Sequence, residues 1–591
     1  MDQNNSISCS SSQMLSDPTC TDPYCFFCTM DEPDLSLRRA KMVQCFKEMT
    51  LRDDQEHVLV LSRLWNIAMT QPDDPEFPSL GIFECMGKLI DRGIKDKAWL
   101  LRGQNIYIPY YAAHIIGSYT MYKAEFAENA VISGVVLPLM ELLRGKITWV
   151  EQRVAVRALG HLASHERTFE VIAEREEEIM ELAMDLASNC LKTIYTKFIR
   201  VKDSKRLKYH CDLLTRGLGE REIENTRAEE WARQLQCWSL YLLNCFACKG
   251  RSLSLVCKKH FLKDLCSMWG GLGNRTSPGG IGLIRSLCNT KIGRESIANL
   301  EPVILSLCTT SSSSDYWQYM AIDSLLLLLK DRHTRYSVID IAAPFLADLV
   351  ELRSLNERTE IGEAITQTLL QDYNKIKYGG LSLKSQSAEE ALREIWELKV
   401  ERRKREELIS DQELKERKDL ARILKQEGNK KFWAGYFEQA VTKYTKALDL
   451  CPLKMRKERT VLYSNRAQCH LLLRKSEAAI RDTTRALSLS SSERPHRKSL
   501  WRRSQAYDMK GMAKESLMDC LMFVNGRIKS EQTKNVKIPY YAAHMINKQM
   551  NCTWIFAGVK SKSKLEEKAN KSNRDDAGDQ RGVLGMRTIL E

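Results

Sequence analysis

Two residue pairs at a spacing of four carry the most specific chemistry in the chain. Lys425 and Asn429, and again Lys498 and Arg502, would each share one face of a helix. Asn465 lies between the pairs in sequence. Lysine and arginine donate charge-assisted hydrogen bonds to carboxylates, the stronger kind. Amide side chains add neutral donors that can hold a peptide backbone. Asparagine is disfavoured inside helices, so Asn429 and Asn465 on helix faces need a reason. Together the five can grip acidic side chains and the free carboxylate of a chain end. The plain alternative is a solvated basic helix face.

The charge balance points the same way. The 591 residues carry a formal charge of +14, and residues 421–530 alone hold 24 Lys and Arg against 10 Asp and Glu. The rest of the chain is neutral on balance, with 66 of each sign. One segment therefore attracts an acidic partner, which could be a peptide, nucleic acid or an anionic membrane surface. Basic clusters at Arg456–Arg459 and Arg494–Lys498 lie beside Trp501, but no RNA-binding signature or zinc finger accompanies them, which makes nucleic acid the weaker reading.

Other candidates for chemistry are thinner. Cys245 and Cys248, followed by Cys257 and His260, have metal-like spacing. The first pair ends an apolar helical pattern, where cysteine is an ordinary core residue. Cys25 and Cys28 form a zinc half-site without a second half. Neither metal nor cofactor is expected. There is no P-loop, nucleotide fingerprint, HExxH or nucleophile elbow, so no enzyme is expected either. The 19 cysteines are dispersed along a long chain rather than packed into a short one, which suits a reducing compartment, cytosol or nucleus. No run of about 18 apolar residues occurs, and the polar first 35 residues do not resemble a secretory leader.

Helical periodicity governs the elements that must position these residues, and the expected class is all-α. Residues 1–35, rich in Ser, Asp, Pro and Thr, read as a disordered tail. Residues 36–382 read as consecutive amphipathic helices. The clearest stretch is 129–173, where Val135, Val136, Leu139, Leu142 and Leu143 form one stripe and Val154, Val156, Leu159, Leu162 and Ala163 the next, after a turn at Gly145. Gly279–Leu287, Ile297–Leu307 and Tyr316–Leu329 fit the same template, and Ile361–Leu370 continues it. These stretches resemble armadillo repeats, whose short helices stack into a solenoid with one continuous core. Residues 383–420 interleave acids and bases and read as a solvated helical linker, opened by a capping box over Ser387–Glu390. Residues 531–591 read as a polar tail. Within it Ile538–His544 repeats Ile108–His114 without a change. Either this is a remnant of duplication, or the second copy docks on the solenoid or takes the first copy's place in a second molecule.

Residues 421–530 form three helix pairs with a period near 34: 421–454, 460–493 and 497–530, with Met455–Arg459 inserted after the first. Gly428, Ala440, Tyr444, Ala447 and Pro452 occupy the small, aromatic and terminating positions of the tetratricopeptide repeat (TPR). Ala467, Ala479 and Ala486 do so in the second repeat, and Ser504 and Tyr507 in the third. The segment resembles the carboxylate-clamp subclass of these domains through Lys425-Gln-Glu-Gly-Asn429, Tyr463-Ser-Asn465-Arg466 and Lys498-Ser-Leu-Trp-Arg502. That resemblance implies a co-chaperone module in which Lys425, Asn429, Asn465, Lys498 and Arg502 hold the acidic C-terminal peptide of a heat-shock chaperone. A solenoid beside such a module resembles plant armadillo/TPR proteins. The likeness to the UCS myosin chaperones is architectural only, because those carry the TPR module at the other end. The implied protein is a cytosolic or nuclear adaptor holding a client or other partner on its solenoid. A chaperone-independent scaffold for acidic peptides, or a protein drawn to RNA or a membrane surface, are the rival readings.

Overall fold

The computed structural model describes residues 24–52, 57–217, 219–268, 279–355, 358–530 and 538–554. The protein is all-α: an armadillo-like α-solenoid followed by a three-repeat TPR domain. Among the described residues the only strands are the two-residue pair Ser354–Leu355 and Arg358–Thr359. The chain divides into two compact units, residues 1–287 and 288–591.

In the first unit the expected armadillo stretch resolves into three helices, Ala124–Ile132, Val136–Leu143 and Trp149–Ser164. Gly134 and Gly145 sit between them at φ +78°, a left-handed conformation that side chains resist. Thr148 caps the long helix, accepting from Val150 N at 3.2 Å, and Glu151 reaches back to Thr148 N at 3.1 Å. The Trp149–Ser164 helix packs between the nearly all-buried Ile108–Tyr119 helix and the 28-residue Arg221–Cys248 helix. Small residues set these approaches. A Cβ on Gly117 would lie 3.4 Å from Ala158, and one on Gly160 would lie 2.8 Å from the Tyr241 ring. No single described helix is long and apolar enough to cross a membrane; Ala124–Ile132 and Val136–Leu143 qualify only as a pair bent by 88°.

The described part of the expected N-terminal tail is folded. Phe26–Met30 is helical with Phe26 and Thr29 buried, and the Leu35–Met49 helix starts on an Asp34 cap. Phe26, 3% exposed, is the apolar anchor that a composition reading dilutes. Residues 1–23 lie outside the described set.

In the second unit the helices Lys291–Ala298, Glu301–Ser312, Gln318–Lys330, Arg335–Ala347 and Ile361–Leu370 continue the armadillo-like pattern. The stretch expected to run unbroken from Ile297 to Leu307 is interrupted at Asn299–Leu300, because Pro302 opens a new helix at its first turn. The charged segment is not a solvated linker. Its Gln386–Trp396 helix buries Ala388, Ala391, Leu392 and Ile395, an i, i+3, i+4, i+7 stripe, against Arg335–Ala347. Ser385, not Ser387, is its cap. The next helix, Arg402–Leu408, closes the end of the first repeat, with Arg402 donating to the carbonyls of Leu448 and Cys451.

The TPR helices are Asp411–Trp433 with Phe437–Leu450, Arg456–Leu472 with Ser476–Leu489, and Arg497–Met509 with Ala513–Ser530. The first begins on a Ser410 cap, ten residues ahead of the period-based boundary. The turn inside each pair needs one left-handed residue. Gly435 and Gly511 supply it in the outer repeats, and Arg474 adopts φ +59° in the middle one.

Buried arginines join the TPR helices to the helices before them. Arg459 forms a two-pronged pair with Glu351 at 2.7 and 2.5 Å. Arg485 reaches Asp348 at 2.6 Å and also pairs with Glu394. Arg503 binds Asp519 at 2.7 Å, Ser312 O at 2.6 Å and Ser314 Oγ at 2.8 Å. Burial opposes each charge, yet the carboxylates outweigh it and hold all three guanidinium groups above their usual range. The Met455–Arg459 insertion is thus the first turn of a helix, carrying Arg456 and Arg459 to Glu351.

The second copy of the repeated heptapeptide also belongs to this unit. It opens the Tyr540–Cys552 helix, which packs on Ala513–Ser530. Tyr541 lies 4.7 Å from Trp501, Ala542 is fully buried, and Gln549 donates to Asp508 at 2.6 Å. This part of the expected polar tail therefore covers the open end of the third repeat.

Two outcomes are expected. Glu351→Gln strips the 1%-exposed Arg459 side chain of its carboxylate and should destabilise the second unit by about 3–5 kcal/mol. Lys95→Gln, at a pair 72% and 41% exposed, should cost less than about 1 kcal/mol. Urea unfolding with hydrogen exchange read over 456–489 separates them, and equal effects would contradict the anchoring role. In the first unit burial holds His161 at about 3, His210 at about 4 and His114 well below the usual imidazole range. The unfolded chain takes up protons near pH 6.5, so stability is complete above about 6.5 and falls as pH drops toward 4. Each histidine contributes roughly 1.4 kcal/mol per pH unit within its window. Glu151, raised by burial to about 7, opposes them between 4.5 and 7 but is one group against three. Melting followed from pH 7 to 5 should show the decline; a flat profile would contradict it.

Candidate peptide-binding site

The five candidate residues fall on the first helices of the three repeats. Lys425 and Asn429 lie on Asp411–Trp433, Asn465 on Arg456–Leu472, and Lys498 and Arg502 on Arg497–Met509. The first and second repeats meet at the asparagines. Asn429 Oδ1 accepts from Tyr444 Oη at 2.7 Å and from Asn465 Nδ2 at 3.5 Å. With its oxygen engaged twice, Asn429 keeps its amide nitrogen as a donor. Burial pushes Tyr444 up to about 12, so its hydroxyl keeps its proton and remains a donor.

The second and third repeats meet at Arg502. Its Nη1 donates to Ser464 O and Ser464 Oγ, both at 2.6 Å, and its Nε donates to Gln468 Oε1 at 3.0 Å. All three acceptors are neutral. The guanidinium is oriented but not neutralised, and burial lowers its proton affinity. Lys425 is half-buried and Lys498 exposed. Among the described residues neither forms an ion pair. Asn429, Asn465 and Arg502 are therefore linked through the middle helix, while the two lysines stand one turn away without contacts to them.

The neighbouring arginines behave differently. Arg466, the last residue of the Tyr463-Ser-Asn-Arg motif, turns away from the asparagines and pairs with Asp482 at 2.8 and 2.6 Å. Ser464 and Gln468, which orient Arg502, were missed by sequence reasoning. Their signal was the spacing of four between Ser464, inside that motif, and Gln468, two residues beyond it. Tyr444 was read as a packing aromatic, and its hydroxyl proves to be the second partner of Asn429. Gly428 makes this possible, since a Cβ there would lie 2.8 Å from the Tyr444 ring.

The weaker metal candidates do not assemble. Among the described residues no three His, Cys, Asp or Glu side chains converge on a metal-sized site. The Cys245 thiol donates to Gly160 O at 3.7 Å, and burial pushes it up to about 12, far from a thiolate ligand. Cys248 and His260 are exposed, and Cys248 contacts Ser286 Oγ at 3.5 Å. Cys25 ends at the start of the Phe26–Met30 helix as its N-terminal flank.

Comparison with known proteins finds a family model and several relatives that each match part of the chain. The plant ARM repeat family model matches residues 17–258. Mitochondrial import receptor subunit TOM70 of Rattus norvegicus is 37% identical over 101 residues, 17% of this chain and 16% of its own. Protein unc-45 homolog B of Danio rerio is 30% identical over 173 residues, 27% of this chain and 18% of its own. Mitochondrial import receptor subunit TOM34 of Rattus norvegicus is 39% identical over 71 residues, 12% of this chain and 21% of its own. The chain thus spans about a fifth or less of the length of these relatives.

Gly428→Ala should force Tyr444 off Asn429 and cost about 1–3 kcal/mol through overpacking. Tyr444→Phe should cost about 1 kcal/mol, the worth of one hydrogen bond. Denaturant midpoints read this order, and a Gly428→Ala protein as stable as the parent would refute the close approach.

Proposed function

We propose that this chain is a protein-binding adaptor, a co-chaperone whose TPR helices clamp the acidic C-terminal peptide of a heat-shock chaperone in the cytosol or nucleus. Its armadillo-like helices hold a client or another partner. The observation that carries the reading is the contrast between two sets of cations. Arg459, Arg466, Arg485 and Arg503 are all matched to carboxylates. Among the described residues Arg502 is held only by neutral acceptors, and Lys425 and Lys498 by none. A half-buried cation left without a counter-ion costs stability unless a ligand supplies one.

In this reading Lys498 and Arg502 take the terminal carboxylate and an acidic side chain. Asn429 and Asn465 donate to the peptide backbone, and Lys425 receives a second acid. The Tyr444 hydroxyl holds the Asn429 amide in its donor orientation before the peptide arrives, which lowers the ordering cost of binding. That two relatives are import receptor subunits by name accords with protein binding.

Calorimetric titration of the whole chain with a peptide ending in Glu-Glu-Val-Asp, beside its C-terminally amidated twin, tests this. Micromolar binding, roughly −8 kcal/mol, by the free acid alone is expected, and Lys498→Ala or Arg502→Ala should abolish it with helical content unchanged. Equal binding by the amidated peptide would mean an acidic-peptide scaffold that ignores chain ends. Binding by neither would remove the clamp.

A further inference from the structure

The first unit holds a second set of unneutralised cations, far from the TPR helices in sequence. Arg153, Arg157 and His161 follow one another at a spacing of four along the Trp149–Ser164 helix and so share a face. Arg153 is 6% exposed, and its guanidinium donates to Gln234 Oε1 at 2.6 Å and to Tyr110 Oη at 3.2 Å. It stacks 3.8 Å from the Trp231 ring centre, and its Nε has no hydrogen-bond partner. Arg157 is half-buried. It lies 3.2 Å from His114 Nδ1 and 4.0 Å from Met121 Sδ, with its guanidinium 5.7 Å from the Trp238 ring. The His161 Nε2 behind it is buried and unpartnered.

Among the described residues no carboxylate forms an ion pair with either arginine. Glu151 is tied to Thr148, and Glu230 is paired with Arg227 at 2.9 Å. Two like charges one helical turn apart, both largely out of water, repel each other. Aromatic faces, an amide, a phenol and a neutral imidazole fix the guanidinium groups in place without cancelling their charge. This is the same device seen at Arg502, built from different residues.

The surroundings select the ligand. Trp231 lies against the Arg153 guanidinium, 3.8 Å from its ring centre, and against near-parallel Tyr110, at 10° and 5.8 Å. Trp238 is hemmed by Arg157, His161 and Tyr241. Both rings are half-buried with a guanidinium already against them, which disfavours the nucleobase stacking on which single-stranded nucleic acid binding relies. Exposed side chains nearby are Tyr122 at 63%, close enough to act on the Arg157 charge, and Met69 at 45%, whose sulfur accepts from Ser118 beside His114; both are residue types enriched where proteins meet.

We propose that this face binds an acidic segment of a partner protein, a carboxylate side chain meeting Arg157 with Arg153 fixed behind it as a second charge. The inference deepens the solenoid half of the proposed function and does not depend on the TPR clamp.

The test uses the full chain and a fluorescent octaglutamate peptide, acetylated and C-terminally amidated so that it offers no terminal carboxylate, at physiological salt. Arg157→Gln should weaken binding at least tenfold, Arg157→Lys should weaken it less, and Lys95→Gln, at an exposed cation of the same unit, should leave it unchanged. Without peptide, Arg157→Gln should melt at or above the parent temperature, because an unpaired charge is removed. Unchanged binding in Arg157→Gln, or a lowered melting temperature, would overturn the proposal. So would equal, Arg157-dependent binding of oligouridylate, or displacement of the peptide by a few millimolar inorganic phosphate. Loss of binding in Lys498→Ala alone would assign the peptide to the clamp and overturn the solenoid site.

Discussion

Removing a guanidinium group from water is the constraint that orders this protein. The penalty is several kcal/mol unless a well-placed partner offsets it. The chain meets it in two ways. Arg459, Arg485 and Arg503 are matched to carboxylates and take part in building the second unit. Arg153, Arg157 and Arg502 are held by rings, amides and carbonyls that orient the charge and leave it intact. The first arrangement fixes architecture, and the second leaves a cation available to an anion from outside.

The paired set explains features that otherwise read as irregularities. The insertion after the first TPR repeat lengthens a helix by the turn that brings Arg456 and Arg459 to Glu351. The charged segment before the repeats supplies Glu394 to Arg485, besides an apolar stripe to the Arg335–Ala347 helix. The TPR helices are therefore not a detachable module on a spacer; three of their buried charges find partners within 312–394. This rigid attachment keeps the candidate peptide site in a fixed relation to the helices that precede it within the unit.

The repeated Ile-Pro-Tyr-Tyr-Ala-Ala-His segment shows how little a local sequence says about burial. Both copies open a helix, with Pro109 in the first turn of one and Pro539 as the N-terminal flank of the other. In the first unit Tyr110 and His114 are buried among Arg153, Arg157 and Trp231. In the second unit the equivalent Tyr540 is 83% exposed, and Tyr541 instead packs on Trp501. Identical residues serve as core in one place and as the cover of a repeat end in the other.

What the sequence determined by itself is local and periodic. Helix spacing, the turns at Gly134 and Gly145, the three TPR pairs and the i, i+4 registers of Lys425 with Asn429 and Lys498 with Arg502 all follow from neighbours within a few turns. The five candidate residues could be named because the motifs that carry the resemblance are local, and the two i, i+4 pairs share a helix face without tertiary information. Whether a given arginine is neutralised could not be read. Arg466 and Arg502 look alike on paper, one paired with Asp482 and the other with none, because their partners come from other helices. Arg459 and Glu351 are 108 positions apart, and no local rule couples them. Charge compensation is a property of distance in space, so only the tertiary structure decided which cations hold the fold together and which remain free for a ligand.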